Sequence, residues 1–190
     1  MSAQTAENFT EFTNSNLEIL HSAEEIRNRV AELGAQITRD YQGKDLVLIG
    51  VLKGSVLFLA DLMREIDLPL KIDFMAVSSY KDGTVSSGDV EILKDLTNPI
   101  REKDVIVCED IIDTGLTLFR LMEILGSRGA ASLKIATLLD KPEPRIKKEL
   151  AIDYCGFQIP NKFVVGYGLD AAGRYRNLPF IGVVKNPDLA

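Results

Sequence analysis

The stretch DVIVCEDIIDTGLTL (residues 104–118) decides how the rest of the chain is read. Its apolar run, Val105, Ile106 and Val107, has the character of a strand buried on both faces and ends in two adjacent carboxylates, Glu109 and Asp110. Asp113, Thr114, Gly115 and Thr117 follow. A new apolar periodicity then predicts a helix over about 114–127 that closes at the glycines 126 and 129. A strand therefore delivers acids to its carboxyl end, a glycine turn follows, and a helix begins. The unpaired N–H groups and positive dipole end of a helix start suit a phosphate. The acids before it suit a sugar diol or a metal ion. Phosphate, diol and metal together describe a phosphorylated ribose.

Outward from this stretch, strand and helix signals alternate. Ser22 and Glu25 form a capping-box pattern, and Ile26, Val30, Leu33 and Ile37 follow at helical spacing. LVLIGVL (46–52) is a fully apolar strand candidate, and Gly54-Ser55 opens a second helix through about Ile66. KIDFMAVSSY (71–80) and SLKIATLLD (132–140) are further strands. This order predicts an α/β domain with right-handed crossovers, a parallel sheet core and flanking helices. One domain over 1–190 is expected, with its core at about 22–150. A small hood is expected from 151–190 together with the N-terminal residues, because YCGFQIP and KFVVGYGLD read as short strands and turns. Ligands of open α/β sheets sit beyond the carboxyl ends of the strands. Lys53–Ser55, Ser78–Thr84, Glu109–Thr117, Lys141 and Asp170 all fall at such ends, which argues for one shared site.

The composition excludes several classes. With 190 residues and 46% hydrophobic content, the chain supports one proper core and contains no apolar run long enough for a membrane span. The polar, acidic start MSAQTAENFTEFTNSN has no signal-peptide character, and two cysteines make no disulfide framework, so a cytoplasmic protein with buried thiols is expected. A net charge of −6 argues against nucleic-acid binding, and the nearest basic block, KPEPRIKK (141–148), is broken by prolines and a glutamate. An acidic protein that binds polyphosphate must reverse its field locally, most simply with Mg²⁺.

VIVCEDIIDTGLTL is similar to the 5-phosphoribosyl 1-pyrophosphate (PRPP) binding motif of type I phosphoribosyltransferases. GVLKGS (50–55), SSYKDGT (78–84) and IPNKFVVGYGLD (159–170), with Lys141, resemble the 6-oxopurine branch, the hypoxanthine or hypoxanthine-guanine enzymes. The resemblance spans about residues 17–185. It implies the type I phosphoribosyltransferase fold and Mg²⁺-dependent transfer of phosphoribosyl from PRPP to N9 of hypoxanthine or guanine. It also implies purine salvage, with PRPP, 6-oxopurine and pyrophosphate as small-molecule partners and a homodimer or homotetramer as the assembly.

Residue by residue, the resemblance implies that Glu109 and Asp110 hold the ribose hydroxyls directly or through Mg²⁺. Asp113, Thr114, Gly115, Leu116 and Thr117 would wrap the 5′-phosphate. Leu116 departs from the lysine or asparagine of some relatives, at a contact made by backbone. Lys53 and Gly54 would bind pyrophosphate, often beside a cis peptide between the residues matching Leu52 and Lys53. The order Lys-Gly-Ser excludes a P-loop, whose lysine follows the glycine. Ser79 and Tyr80 match a lid, Lys141 a donor to the purine 6-oxo group, Phe163 a stacking ring, and Val164 a backbone reader of the ring edge. Asp170 matches a second Mg²⁺ ligand and Arg176 a pyrophosphate contact. Asp113 matches the acid–base group opposite purine N7.

Each of these residues has a plainer alternative: strand-end acids, an N-cap aspartate, helix-start chemistry, an exposed loop or a solvated lysine. A PRPP-sensing regulator would retain the same motif, and the acid spacing of Asp110 and Asp113 is wrong for an aspartyl phosphatase. His21 stands outside every cluster and is expected to be structural or exposed. Replacement Asp113→Asn should lower turnover by roughly 10²–10⁴-fold while changing PRPP affinity far less; steady-state kinetics beside calorimetric PRPP binding would check this.

Overall fold

The computed structural model describes residues 16–79 and 90–186. The elements run β1 (Leu17–His21), α1 (Ala23–Asp40), β2 (Leu46–Leu52), α2 (Val56–Glu65), β3 (Leu70–Ser79), β4 (Val90–Lys94) and β5 (Asp104–Ile112). They continue α3 (Leu116–Gly126), β6 (Ser132–Asp140), β7 (Tyr154–Gln158), β8 (Val164–Val165) and β9 (Ile181–Val184). Six strands form the main sheet in the order β4-β3-β2-β5-β6-β7, and β1, β9 and β8 form a second sheet of three. Within the main sheet only β4 runs antiparallel, so the fold is α/β with a mostly parallel core.

Strand β2 lies between β3 and β5, the strands that follow it on either side. The chain leaves the carboxyl end of β2 toward one side of the sheet and returns through β5 on the other. That reversal opens a crevice between the two strand ends, the place where such sheets bind ligands.

Alternation along the strands feeds two cores. Leu46 and Leu48 of β2, with Ile106 and Cys108 of β5, pack with Ile26, Val30, Leu33 and Ile37 of α1 and with Phe58, Leu59 and Leu62 of α2. Val47, Ile49 and Val51, with Val105 and Val107, meet Leu118, Leu121 and Leu125 of α3 on the other face. Strand β2, and β5 from Val105 to Cys108, thus read as unbroken apolar runs because each face is covered by helix. The capping box at α1 is formed: Glu25 N donates to Ser22 Oγ at 3.2 Å, and Ser22 N donates to Glu25 Oε2 at 2.7 Å.

The tail differs from its sequence-based reading. YCGFQ does not join a cap; it is β7, the parallel edge strand beside β6. Two features that hydropathy does not register hold it there. Gly156 lets its backbone approach Leu138, which a Cβ would overlap, and Arg29 of α1 donates to the Cys155 and Gly156 carbonyls at 2.7 and 2.9 Å. Strand β1, which precedes α1, pairs antiparallel with β9. His21, at the end of β1, stacks on Phe157 of β7 with ring centroids 4.0 Å apart. Both cysteines are free, Cys108 buried and Cys155 half-buried. No described helix is long and apolar enough to cross a membrane.

Helices α1 and α2 meet through Gly34, where a Cβ would lie 2.5–2.7 Å from backbone and Cβ atoms of Glu65. Alanine in a helix interior is normally favoured over glycine by about 1 kcal/mol, whereas overpacking a filled contact costs about 1–3 kcal/mol. Replacement Gly34→Ala should therefore destabilise the protein, lowering the denaturation midpoint with an unchanged m-value. A raised midpoint would show that the helices separate freely.

Candidate active site

The crevice between the ends of β2 and β5 is built from backbone turns and carboxylates. Strand β2 ends in a cis Leu52–Lys53 peptide followed by Gly54 and Ser55. Ser55 is fully buried, but its hydroxyl does not cap α2; it donates back to the Val51 carbonyl at 2.7 Å. Gly54 stands directly against β5. A Cβ at this position would collide with the Asp110 carboxylate, so only glycine leaves room for that acid.

Glu109 and Asp110 lie within β5, whose pairing with β6 continues through Ile112. Removal from water pushes the Glu109 carboxyl well above the ordinary carboxylate range, and the neighbouring Asp110 charge adds to the shift. Burial likewise raises Asp110, against the Ile111 N–H that donates to it at 2.8 Å and the nearby Arg176 charge. The Arg176 charge offsets only part of the cost of burial at Asp110.

Beyond β5 the chain turns through Asp113 and Thr114 to Gly115, whose φ of 77° lies in the left-handed region glycine tolerates. Helix α3 then starts at Leu116, with Thr117 in its first turn. Leu116 N donates to Thr114 Oγ1 at 3.4 Å. The Asp113 side chain is half-exposed, and the almost fully buried Lys141 brings its Nζ to 3.9 Å from Asp113 Oδ2.

The segment 163–176 closes the crevice from the side of the three-stranded sheet. Phe163 is 45% exposed. Its carbonyl accepts from Val184 N at 2.9 Å, which fixes the phase of the β8–β9 ladder. Val164 accordingly turns its own N–H and C=O to the outer edge of β8. Tyr167 (φ 47°) lies between Gly166 and Gly168, and its hydroxyl donates to Asp61 of α2 at 2.6 Å. Gly168 packs so closely on the Gly54 carbonyl that a Cβ would overlap it. Arg176 donates to the Gly168 carbonyl at 2.6 Å and pairs with Asp170 at 2.6 Å; the second Asp170 oxygen accepts from Gly173 N at 2.7 Å.

The structure thus brings Gly54, Asp110, Gly168, Asp170 and Arg176 together, and beside them Asp113 and Lys141. The backbone of Ser79 ends β3; Tyr80 and the rest of the expected lid lie outside the described residues. Sequence reasoning missed Asp61, Tyr167 and Gly168, which seat the segment on α2 and the Lys53 turn. The pair of glycines flanking Tyr167 was the available signal for close backbone approach.

Comparison with known proteins fits this geometry. The model of the phosphoribosyl transferase domain matches residues 16–172. A hypoxanthine-guanine phosphoribosyltransferase of Staphylococcus aureus is 55% identical over 168 residues, covering 88% of this chain and 93% of the relative. The Bacillus subtilis protein of the same name is 54% identical, with 88% and 92% covered. A solved hypoxanthine phosphoribosyltransferase from Staphylococcus aureus matches with a TM-score of 0.88 at 52% identity, covering 92% of this chain and 94% of that one. The Trypanosoma cruzi hypoxanthine phosphoribosyltransferase in complex with the product IMP matches at 0.85 and 43%, covering 93% and 98%. The chain belongs to the phosphoribosyltransferase family. Within that family it falls in the hypoxanthine-guanine branch.

The two close glycine contacts predict different outcomes. Replacement Gly54→Ala pushes aside a carboxylate side chain, so the melting temperature should stay near wild type while PRPP turnover falls about tenfold or more. Replacement Gly168→Ala sets a Cβ against main chain at φ 99° and should lower stability as well. Thermal melts and initial rates on the two variants separate these effects.

Proposed function

We propose that the chain transfers the 5-phosphoribosyl group from PRPP to N9 of a 6-oxopurine, hypoxanthine or guanine, releasing IMP or GMP and pyrophosphate in purine salvage. The observation that carries this reading is the meeting, at one sheet crevice, of the Lys53–Gly54 turn, the Glu109–Asp110 acids, the Asp113–Thr117 loop and the Phe163–Arg176 segment. A donor with phosphate, ribose and pyrophosphate needs three adjacent subsites of different chemistry, and a purine needs a fourth.

In this reading the N–H groups of Asp113, Thr114 and Gly115 and the hydroxyls of Thr114 and Thr117 hold the 5′-phosphate. Glu109 and Asp110 accept from the ribose 2′- and 3′-hydroxyls, for which two pure acceptors are well suited. Lys53, Gly54 and Arg176 hold the pyrophosphate. Phe163 stacks on the base, and the outward backbone groups of Val164 read its edge. Lys141 donates to the 6-oxo oxygen while Asp113 takes or returns the N7 proton. These two atoms are neighbours on one purine edge, and the 3.9 Å between Lys141 Nζ and Asp113 Oδ2 suits that spacing. Ser79 and Tyr80, as a lid, would exclude water from the ribosyl centre. Most of the acceleration comes from positioning and charge complementarity, with Asp113 handling the proton.

Mg²⁺ fits the residues present. Glu109 and Asp110 are carboxylates short of positive charge, and Asp170 lies close enough to influence Asp110. Among the described residues no cluster of three or more ligating side chains would hold a metal unaided. Magnesium characteristically binds through one or two carboxylates plus substrate oxygens. Bound there, one ion held by Glu109 and Asp110 would orient the ribose, and a second held by Asp170 would help neutralise the pyrophosphate. A single domain acting in the cytoplasm as a homodimer or homotetramer completes the reading.

The test is one assay with PRPP and Mg²⁺ against hypoxanthine, guanine, xanthine and adenine in turn. Hypoxanthine or guanine should be turned over and adenine rejected, because its exocyclic amine would face the Lys141 cation instead of offering an acceptor. Equal turnover of adenine would contradict the role of Lys141, and turnover of no base would favour a PRPP-sensing regulator.

A further inference from the structure

The basic turn KPEPRIKK (141–148), of which the proposed function uses only Lys141, holds a buried arginine against the phosphate loop. The Arg145 side chain is 8% exposed. Its Nε donates to the Asp113 carbonyl at 2.9 Å, and its Nη2 donates to the Ile112 carbonyl at 3.0 Å and to Asp140 Oδ1. Asp140, itself 5% exposed, sits opposite Ile112 in the β5–β6 register and takes a further hydrogen bond from Gln158 at 3.4 Å. The main chain of the same turn adds to this set. Lys141 N donates to the Ile112 carbonyl at 3.0 Å, and Ile146 N and Lys147 N donate to the Thr114 carbonyl at 3.0 and 3.2 Å.

Three consecutive carbonyls, those of Ile112, Asp113 and Thr114, are therefore all held by one turn. In a trans peptide the C=O and the following N–H point in opposite directions. Drawing these carbonyls toward 141–147 aims the N–H groups of Asp113, Thr114 and Gly115 away from that turn. Successive N–H groups turned to one side make a concavity for an anion. The arginine stem also bounds Gly115, where a Cβ would lie 3.0 Å from Arg145 Cδ.

We infer that Arg145 is a positioning residue for phosphoribosyl transfer. By capping the Ile112 and Asp113 carbonyls from behind, it fixes the phosphate-facing N–H groups and the backbone from which the Asp113 carboxylate projects. The inference rests on the function proposed above, and in it Arg145 touches neither PRPP nor purine. Its planar fork serves two carbonyls and one carboxylate at once; a lysine ammonium at the same place would satisfy Asp140 without reproducing the fork. Asp140, on the adjacent strand, holds the guanidinium in place.

The experiment compares wild type, Arg145→Lys and Arg145→Ala by thermal melts and by steady-state kinetics with PRPP and hypoxanthine. Arg145→Lys should melt near wild type, lose roughly 10–100-fold in kcat and show a raised KM for PRPP, with the hypoxanthine KM unchanged. Added ethylguanidinium should restore part of the Arg145→Ala turnover, and ethylammonium should not. Wild-type kcat and PRPP KM in Arg145→Lys would overturn the role, as would a rise confined to the hypoxanthine KM. Failure of both variants to fold would assign Arg145 to the fold alone and overturn it equally. A wild type without turnover would instead overturn the proposed function. Calorimetric PRPP binding, weakened in Arg145→Lys or not, then decides the role of Arg145.

Discussion

The crevice is arranged around the Asp110 carboxylate, which occupies the space a side chain at position 54 would need. From that one exclusion a sequence of close contacts follows. Gly54 has no side chain, so its carbonyl is open to Gly168, and Gly168 in turn approaches nearer than any Cβ would allow. Arg176 holds the Gly168 carbonyl and pairs with Asp170, whose charge and that of Arg176 both act on Asp110. The β2 turn, the β5 acids and the 163–176 segment are thus mutually located by contacts at main-chain distance. Loops located in this way hold their geometry far better than loops joined by long side chains, and a site that works by positioning depends on that.

The electrostatic consequence is equally direct. Glu109 and Asp110 sit where burial disfavours their charge, and the nearest cation acting on Asp110 is already paired with Asp170. Such a site gains by taking in positive charge together with its substrate. An acidic protein with a net charge of −6 that handles a polyphosphate has the same need. In the proposed reading, metal and PRPP therefore arrive at carboxylates that are better satisfied with them than without, and Lys141 supplies the positive charge at the purine end.

The central fold was legible because its signals were local and strong. The run 46–52 is apolar throughout and 105–107 is apolar up to the cysteine and acids that follow it, and both lie in central strands covered by helix on each face. The Ser22–Glu25 capping box marked a helix start that formed as read. Strand β7 was not legible, since its place in the main sheet depends on a glycine approach to Leu138 and on Arg29, 126 and 127 residues away in sequence from the carbonyls it holds. The same limit applied at the site. Residues with distinctive chemistry, such as the β5 acids, Asp113 and Lys141, stood out in the chain. Arg145, Tyr167 and Asp61 did not, because each acts through a partner remote in sequence and has an ordinary surface or core residue type. Exposed Phe163 falls between these cases: its ring is conspicuous in the structure, yet one phenylalanine in an apolar segment carries no mark of exposure.

The account stands on one arrangement: phosphate at the α3 start, ribose at the β5 acids and purine between Phe163 and Lys141. A crystal structure of this protein with IMP tests it most directly. The account predicts the 5′-phosphate on the N–H groups of residues 113–115, the ribose hydroxyls facing Glu109 and Asp110, and the 6-oxo oxygen within hydrogen-bond distance of Lys141 Nζ. A nucleotide bound in the opposite sense, with its base at the α3 start, would contradict it.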